Sequence, residues 1–248
     1  MIEIKLENVF RSFSGGMALN GVSETFPAGS FTAVIGPSGA GKSTLLRCIN
    51  GMERADSGRV LAGGTDMASA RGRELRSAQR RIGTIWQDFC LVEPSTALDN
   101  VLNGALAEMS FFAAVFGLFG RGRTAKARAL LERVGLAHKA GQRASSLSGG
   151  EKQRCAIARA LMQGCEAILA DEPVASLDPV HAENVLSLLK KLQREEGATV
   201  IMNSHNVEQA RSYADRIVGL REGRVVFSGA PDELSPAALR DIYGDEIA

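Results

Sequence analysis

Neither sign of charge dominates this chain: 29 Lys and Arg face 28 Asp and Glu, the formal net charge is +1, and no basic tail gathers the cations. Nucleic acid is therefore not an expected partner. Cys48, Cys90, Cys155 and Cys165 form no CxxC pair, and His138, His181 and His205 lack ligand spacing, so neither a disulfide framework nor a zinc site is expected. Reduced, cytosolic thiols fit that pattern. The N-terminus alternates polar and apolar residues from Ile2 onward without a continuous apolar stretch, which argues against a signal peptide. The longest apolar run, Phe111 to Phe119, is about half the length a membrane span requires. No internal repeat or low-complexity tract breaks the chain.

What remains, 248 residues at 45% hydrophobic content, suffices for one composite domain. Ile2 to Val9 alternates with period two, reads as a half-buried strand and precedes a turn at Ser14-Gly15-Gly16, so the chain starts β-rich. Buried strands are predicted at Phe31 to Ile35, Ile82 to Trp86, Ala167 to Ala170, Thr199 to Met202 and Arg216 to Leu220, with a helix over 179–195. Leu98, Val101 and Leu102, then Leu130, Leu131 and Val134, recur at helical spacing inside 95–164. That segment is a helical insertion between core strands. Strand and helix alternation around it argues for a parallel α/β sheet. After Val225 to Phe227 comes a short tail with helix-start chemistry at Ser235-Pro236, where no C-terminal regulatory domain is expected.

Gly36-Pro37-Ser38-Gly39-Ala40-Gly41-Lys42-Ser43 follows a strand, opens a helix and matches GxxxxGK[ST]. Glycines let backbone N–H groups converge on phosphate oxygens, the helix start adds a positive dipole end, Lys42 reaches the β- and γ-phosphates, and the Ser43 hydroxyl suits Mg²⁺. Thr44 closes the loop. Ala167 to Ala170 ends in Asp171 and Glu172, one carboxylate for the metal and one, a step beyond, to take a proton from attacking water. An acidic pair after a strand can also merely cap a helix.

Leu147-Ser148-Gly149-Gly150-Glu151 stands just before that strand, Gln87 follows another strand, Ser176-Leu177-Asp178 follows the acidic pair, and His205 ends a later strand. Taken in this order, the motifs resemble the ATP-binding subunits of ABC transporters over essentially the whole chain. The resemblance implies a P-loop NTPase (RecA-like) core, an antiparallel β subdomain and an inserted α-helical subdomain. It also implies a single domain over 1–248, with core and β lobe at 1–94 and 165–248, and a helical lobe at 95–164.

Residue by residue, it makes Phe13 the aromatic that stacks on adenine, although a core role would also suit it. Gln87 becomes the residue that touches Mg²⁺ and the attacking water and senses a membrane partner, where the alternative is a solvated loop glutamine. His205 becomes the γ-phosphate contact. Ser148, Gly149 and Gly150 would aim backbone N–H groups at the γ-phosphate held by a second copy, with Glu151 in the same motif and Asp178 crossing the same interface. The implied cofactors are ATP and Mg²⁺, the latter held by Ser43, Gln87 and Asp171. The implied partners are a homodimer mate, two membrane permease subunits and, through them, a periplasmic or lipid-anchored substrate-binding protein, which places the chain peripherally on the cytoplasmic face of the inner membrane.

Asp99 to Leu106, the Phe-rich segment, Ala129 to Leu136, Ile168 to Pro179 and Asp215 to Arg221 are most similar to the ATPase subunits of phosphonate importers. Asp88, Cys90, Glu151 and Ser204 depart from that group's commoner residues, yet none removes a catalytic group. Another importer, an exporter or lipoprotein-release complex, and more distantly a soluble ATPase working on DNA or ribosomes, are the alternatives. Phe111 to Phe119 reads as core packing of the helical lobe or as part of a groove for a permease helix.

Overall fold

The computed structural model describes residues 1–244. The described residues form two sheets. Strands β1 (Ile4–Phe13), β2 (Gly16–Phe26), β4 (Ser57–Ala62) and β5 (Thr65–Asp66) form an antiparallel sheet in the order β2-β1-β4-β5. The second sheet has six strands, ordered β10-β9-β3-β8-β7-β6. They are β3 (Phe31–Ile35), β6 (Ile82–Ile85), β7 (Ala167–Asp171), β8 (Thr199–Ser204), β9 (Arg216–Arg221) and β10 (Arg224–Gly229). All its pairings are parallel except the β9–β10 edge.

Burial explains which strand sits where. Every residue of β3, β7 and β8 is buried, as both faces of a central parallel sheet demand, whereas β1 alternates. The period of two then sorts side chains between two cores. Val34, Leu169 and Ile201 join Leu45, Leu46, Ile49 and Phe26 beneath the antiparallel sheet and α1 (Lys42–Ile49). Phe31, Ala33, Ile35, Val200 and Met202 turn the other way, onto Val185 and Leu189 of α7 (Pro179–Glu196). That helix starts on the Asp178 cap and Pro179 and stops at Gly197 in the left-handed region.

The helices between β6 and β7 have a core of their own. Val101 and Leu102 of α3 (Ala97–Leu102), Ala127 and Leu131 of α5 (Gly120–Arg133), and Cys155, Ala158 and Met162 of α6 (Gly149–Met162) pack together. Helix α6 belongs to both bodies, because Ile157 and Ala160 face the main sheet instead. Between α3 and α5 lies α4 (Phe111–Val115), and here the core-packing reading of Phe111 to Phe119 holds only at Phe119, which packs against this core, and is corrected for the rest. Phe111, Phe112 and Phe116 are 76%, 73% and 70% exposed, and none of α4 is buried. A helix of five residues with Gly117 behind it cannot turn this much aromatic surface onto one neighbour.

The remaining α-helices among the described residues are α2 (Gly72–Arg80), α8 (Val207–Tyr213) and α9 (Pro236–Tyr243), the last capped by Ser235 as predicted. Among the described residues no helix is long and apolar enough to cross a membrane.

Candidate active site

The carboxyl ends of four parallel strands meet at one edge of the main sheet, where crossover loops leave room for a ligand. β3 runs into Gly36, β7 ends on Asp171 and Glu172, β8 delivers Ser204 and His205, and β6 leads to Gln87. A cleft of about 220 Å³ lies there, walled by Ala18, Ser38, Gly39, Ala40, Gly41, Lys42, Ser43, Thr44, Glu172 and His205.

Crowding dictates glycine in two loop positions. A Cβ on Gly36 would lie 2.1 Å from the Leu220 carbonyl oxygen, and one on Gly41 would lie 2.2 Å from that of Ala18. A Cβ on Gly39 would meet nothing within 4 Å, so at that position the backbone borders open space in the cleft. Lys42 is buried and donates to the carbonyls of Gly36 at 2.7 Å and Pro37 at 2.9 Å. Burial lowers its pKa, while Glu172 and Asp171 pull the other way. The ammonium thus stands inside its own loop.

Asp171 accepts hydrogen bonds from Ser43 Oγ at 3.0 Å and from Asn203 Nδ2 at 2.7 Å. Glu172 adopts a φ of 49°, which swings its side chain off the strand end, and its Oε1 lies 2.5 Å from His205 Nε2. The carboxylate and the imidazole are therefore partners. Ser43 and Asp171 are hard oxygen donors suited to Mg²⁺, and no group of three His, Cys, Asp or Glu among the described residues could hold a metal by itself. Such a donor set fits an ion that takes its remaining ligands from phosphate and water.

The other candidate residues stand outside the cleft wall. Phe13 sits at the tip of the β1–β2 hairpin, 44% exposed, with the Arg11 guanidinium 4.6 Å from its ring centroid. Arg11 is in turn held by Asp56 at 2.8 Å and Glu53 at 2.9 Å. Gln87 is exposed in the loop after β6, and no hydrogen bond among the described residues engages its side chain. Two residues on, Phe89 and Cys90 both take positive φ, at 59° and 50°, a costly geometry outside glycine. The Arg159 side chain of α6 holds that turn by donating to both carbonyls, 2.9 Å for Phe89.

Ser148 is the N-cap of α6 in a reciprocal box with Glu151: its backbone N–H donates to Glu151 Oε2 at 2.9 Å, and its hydroxyl accepts from Glu151 N at 3.4 Å. Glu151 also pairs with Lys139 at 2.6 Å. Burial pushes its pKa up, but the hydrogen bonds from Lys139 and Ser148 outweigh that and hold it low. Glu151 is thus committed to its own subunit, whereas the Gly149 and Gly150 N–H groups have no partner among the described residues. Asp178 caps α7 through the N–H groups of Val180 and His181, both at 3.2 Å. The two motifs touch: a Cβ on Gly150 would lie 2.7 Å from His181 Cδ2, and one on Gly149 3.1 Å from Leu177 Cδ2.

A family model described as ABC transporter matches residues 19–175. The chain belongs to the ABC transporter ATP-binding family. Among curated ABC ATPases, it is 48% identical over 247 residues to the phosphonates import ATP-binding protein of Thiobacillus denitrificans, covering 99% of this chain and 94% of that one. It is 48% identical over 233 residues to such a protein of a Synechococcus strain, with 94% and 87% covered. Among solved structures, a nucleotide-free ATP-binding cassette from an ABC transporter superposes with TM-score 0.84 at 27% identity, covering 99% of this chain and all of that one. A dimeric cassette in a post-hydrolysis state bound to ADP and Pi gives 0.80 at 34% identity, with 92% and 98% covered. The P-loop core, antiparallel sheet and helical subdomain are thus those of an ABC ATPase, and the chain is an ATP-hydrolysing translocase subunit.

Asn203 and Arg159 did not emerge from the motifs. Asn203 was hidden because only strand pairing brings it beside Asp171, and Arg159 because its partners are backbone carbonyls far away in sequence.

Proposed function

We propose that this ABC ATPase powers a phosphonate importer from the cytoplasmic face of the inner membrane. The 48% identity, over nearly the whole chain, to two phosphonates import ATP-binding proteins carries the reading. Two copies close head to tail on two ATP molecules, the Gly149 and Gly150 N–H groups of one copy meeting the γ-phosphate bound by Lys42 and the loop of the other. The unpartnered state of those N–H groups and their position outside their own cleft support it. Phe13 offers its ring to adenine, and Asp178 and Ser148 lie at the joint.

Ser43 and Asp171, with Gln87 once its loop closes, would hold Mg²⁺, which when bound neutralises phosphate charge. Glu172 takes the proton of the attacking water, and for this its bond to His205 must open. His205 is then free to donate to the γ-phosphate, so one exchange of partners arms both groups. Coupling follows because ATP favours the closed pair over the open one; a ligand that bound both equally would shift nothing.

The exposed Phe111, Phe112 and Phe116 surface is part of the face offered to two permease subunits, through which a periplasmic or lipid-anchored binding protein delivers the substrate. Reconstituted with its permease and binding protein, the transporter should show ATP turnover stimulated by an alkylphosphonate and not by sugars or amino acids. Stimulation by another solute class alone would overturn the substrate. Changing Phe112 and Phe116 together to Ser should abolish co-purification with the permease at unchanged melting temperature; retained assembly would remove this surface from the interface.

A further inference from the structure

Strand β8 is apolar through Val200-Ile201-Met202 and then carries an amide, Asn203, that is completely buried. Parallel pairing of β7 with β8 sets it directly beside Asp171. Packing alone has no need of an amide here, since a buried polar group is tolerated only where something satisfies it.

Its hydrogen bonds are uneven. Nδ2 donates to Asp171 Oδ1 at 2.7 Å, and Ser43 Oγ donates to the same oxygen at 3.0 Å. Both donors converge on Oδ1, and among the described residues none reaches Asp171 Oδ2. The carboxylate is therefore pinned by one oxygen with the other left open. Asn203 Oδ1, by contrast, is buried and has no partner. A cavity of about 210 Å³ runs past Asn203, Glu172 and His205, large enough for several water molecules.

We propose that Asn203 is a positioning residue for divalent-cation binding: its N–H fixes Asp171 Oδ1 so that Oδ2 is presented to the cation that accompanies ATP, while its carbonyl oxygen is an acceptor held ready for water around that cation. The inference rests on the reading of Asp171 as the residue serving the metal. It adds the group that orients Asp171, in the way that partners behind a ligating carboxylate or imidazole set its direction and basicity. Asn203 touches neither phosphate nor attacking water in this scheme, so it acts on the cation and not on nucleotide binding as such.

Mn²⁺ is the probe, titrated by its electron paramagnetic resonance signal into the full-length protein saturated with ADP. Nucleotide binding is measured separately with a fluorescent ADP analogue in EDTA. Asn203→Leu should weaken Mn²⁺ binding about 10- to 100-fold, the range for loss of such a partner. Metal-free nucleotide affinity should stay within about twofold, and ATP turnover should recover as Mg²⁺ is raised. Asn203→Thr keeps a hydroxyl donor and should restore part of the Mn²⁺ affinity; it also carries the test if the leucine variant does not fold. Asp171→Asn separates the two levels. Wild-type Mn²⁺ affinity in Asn203→Leu and Asn203→Thr, with affinity lost in Asp171→Asn, overturns the role of Asn203 alone. Unchanged affinity in Asp171→Asn overturns the reading of Asp171 on which it depends.

Discussion

Lys42 carries a positive charge into surroundings that resist it. Burial lowers its pKa, and in this state the ammonium leans on the carbonyls of Gly36 and Pro37. Phosphate oxygens would replace two weak acceptors with charged ones, so Lys42→Ala should weaken ATP binding by about 10- to 100-fold, the value of a charge-assisted bond, in a fluorescent-nucleotide titration. Glu172 is tied to His205 and twisted to a positive φ, both signs of a residue placed for chemistry. Glu172→Gln should retain ATP and accumulate as a closed dimer on gel filtration while hydrolysis drops by about 10²- to 10⁴-fold. Turnover near wild type would move the general base elsewhere. At this scale a candidate site is legible in the sequence where a motif keeps its residues within a few neighbours, as in Gly36 to Thr44 and Asp171-Glu172, which the fold brings to one cleft. It missed Asn203, whose partner lies 32 positions away and is supplied by the sheet.

Helix α6 joins three tasks: its N-terminus carries the Ser148 cap, its middle packs against both cores, and Arg159 reaches the loop after β6. Ser148→Arg fills the space in front of that N-terminus without entering the subunit's own cleft. ATP binding by the monomer should remain within about threefold of wild type while dimer closure and hydrolysis disappear, read by gel filtration and phosphate release; the lost cap adds about 1 kcal/mol of destabilisation in a denaturant titration. Hydrolysis at the normal rate would mean that the two motifs never face each other across a dimer. Elements were legible where apolar content was dense. Strands β3, β7 and β8 are fully buried and built around the apolar runs Ala33 to Ile35, Ala167 to Ala170 and Val200 to Met202, and α7 has Asp-Pro at its start and Gly at its end. By contrast α2 buries only Ala78 among its arginines, so it shows no apolar stripe. β4 opens on Ser57-Gly58-Arg59, and its place was set by pairing with β1.

Across the whole molecule, the N-terminus, β6 and β7 are laced together by Glu166. Its carboxylate takes Arg81 at 2.6 Å and the terminal ammonium at 3.1 Å. The Arg81 hydrogen bond is the main cause that brings its pKa from 4.5 to about 2, with the terminal amine adding to it against partial burial. Because the folded pKa lies below the unfolded one, this carboxylate contributes stability above pH 4.5 and loses it as the pH falls toward about 2. Glu166→Gln should thus melt below wild type at neutral pH, and the gap should close across that acid window; a gap that stays constant would mean that charge plays no part.

A last consequence concerns motion. Arg159 clamps Phe89 and Cys90, Lys152 reaches Glu93 at 2.7 Å, and Asn100 accepts from Val92 N at 2.7 Å and donates to its carbonyl at 3.0 Å, so the chain from Phe89 onward is bolted to the helical lobe. Only Trp86, Gln87 and Asp88 lie between that bolted arm and the end of β6. Gln87 therefore sits at the centre of one of two links between the bodies, the other being α6, whose Ile157 and Ala160 pack on the main sheet. A displacement of that arm would reach the Gln87 side chain through only three residues of backbone.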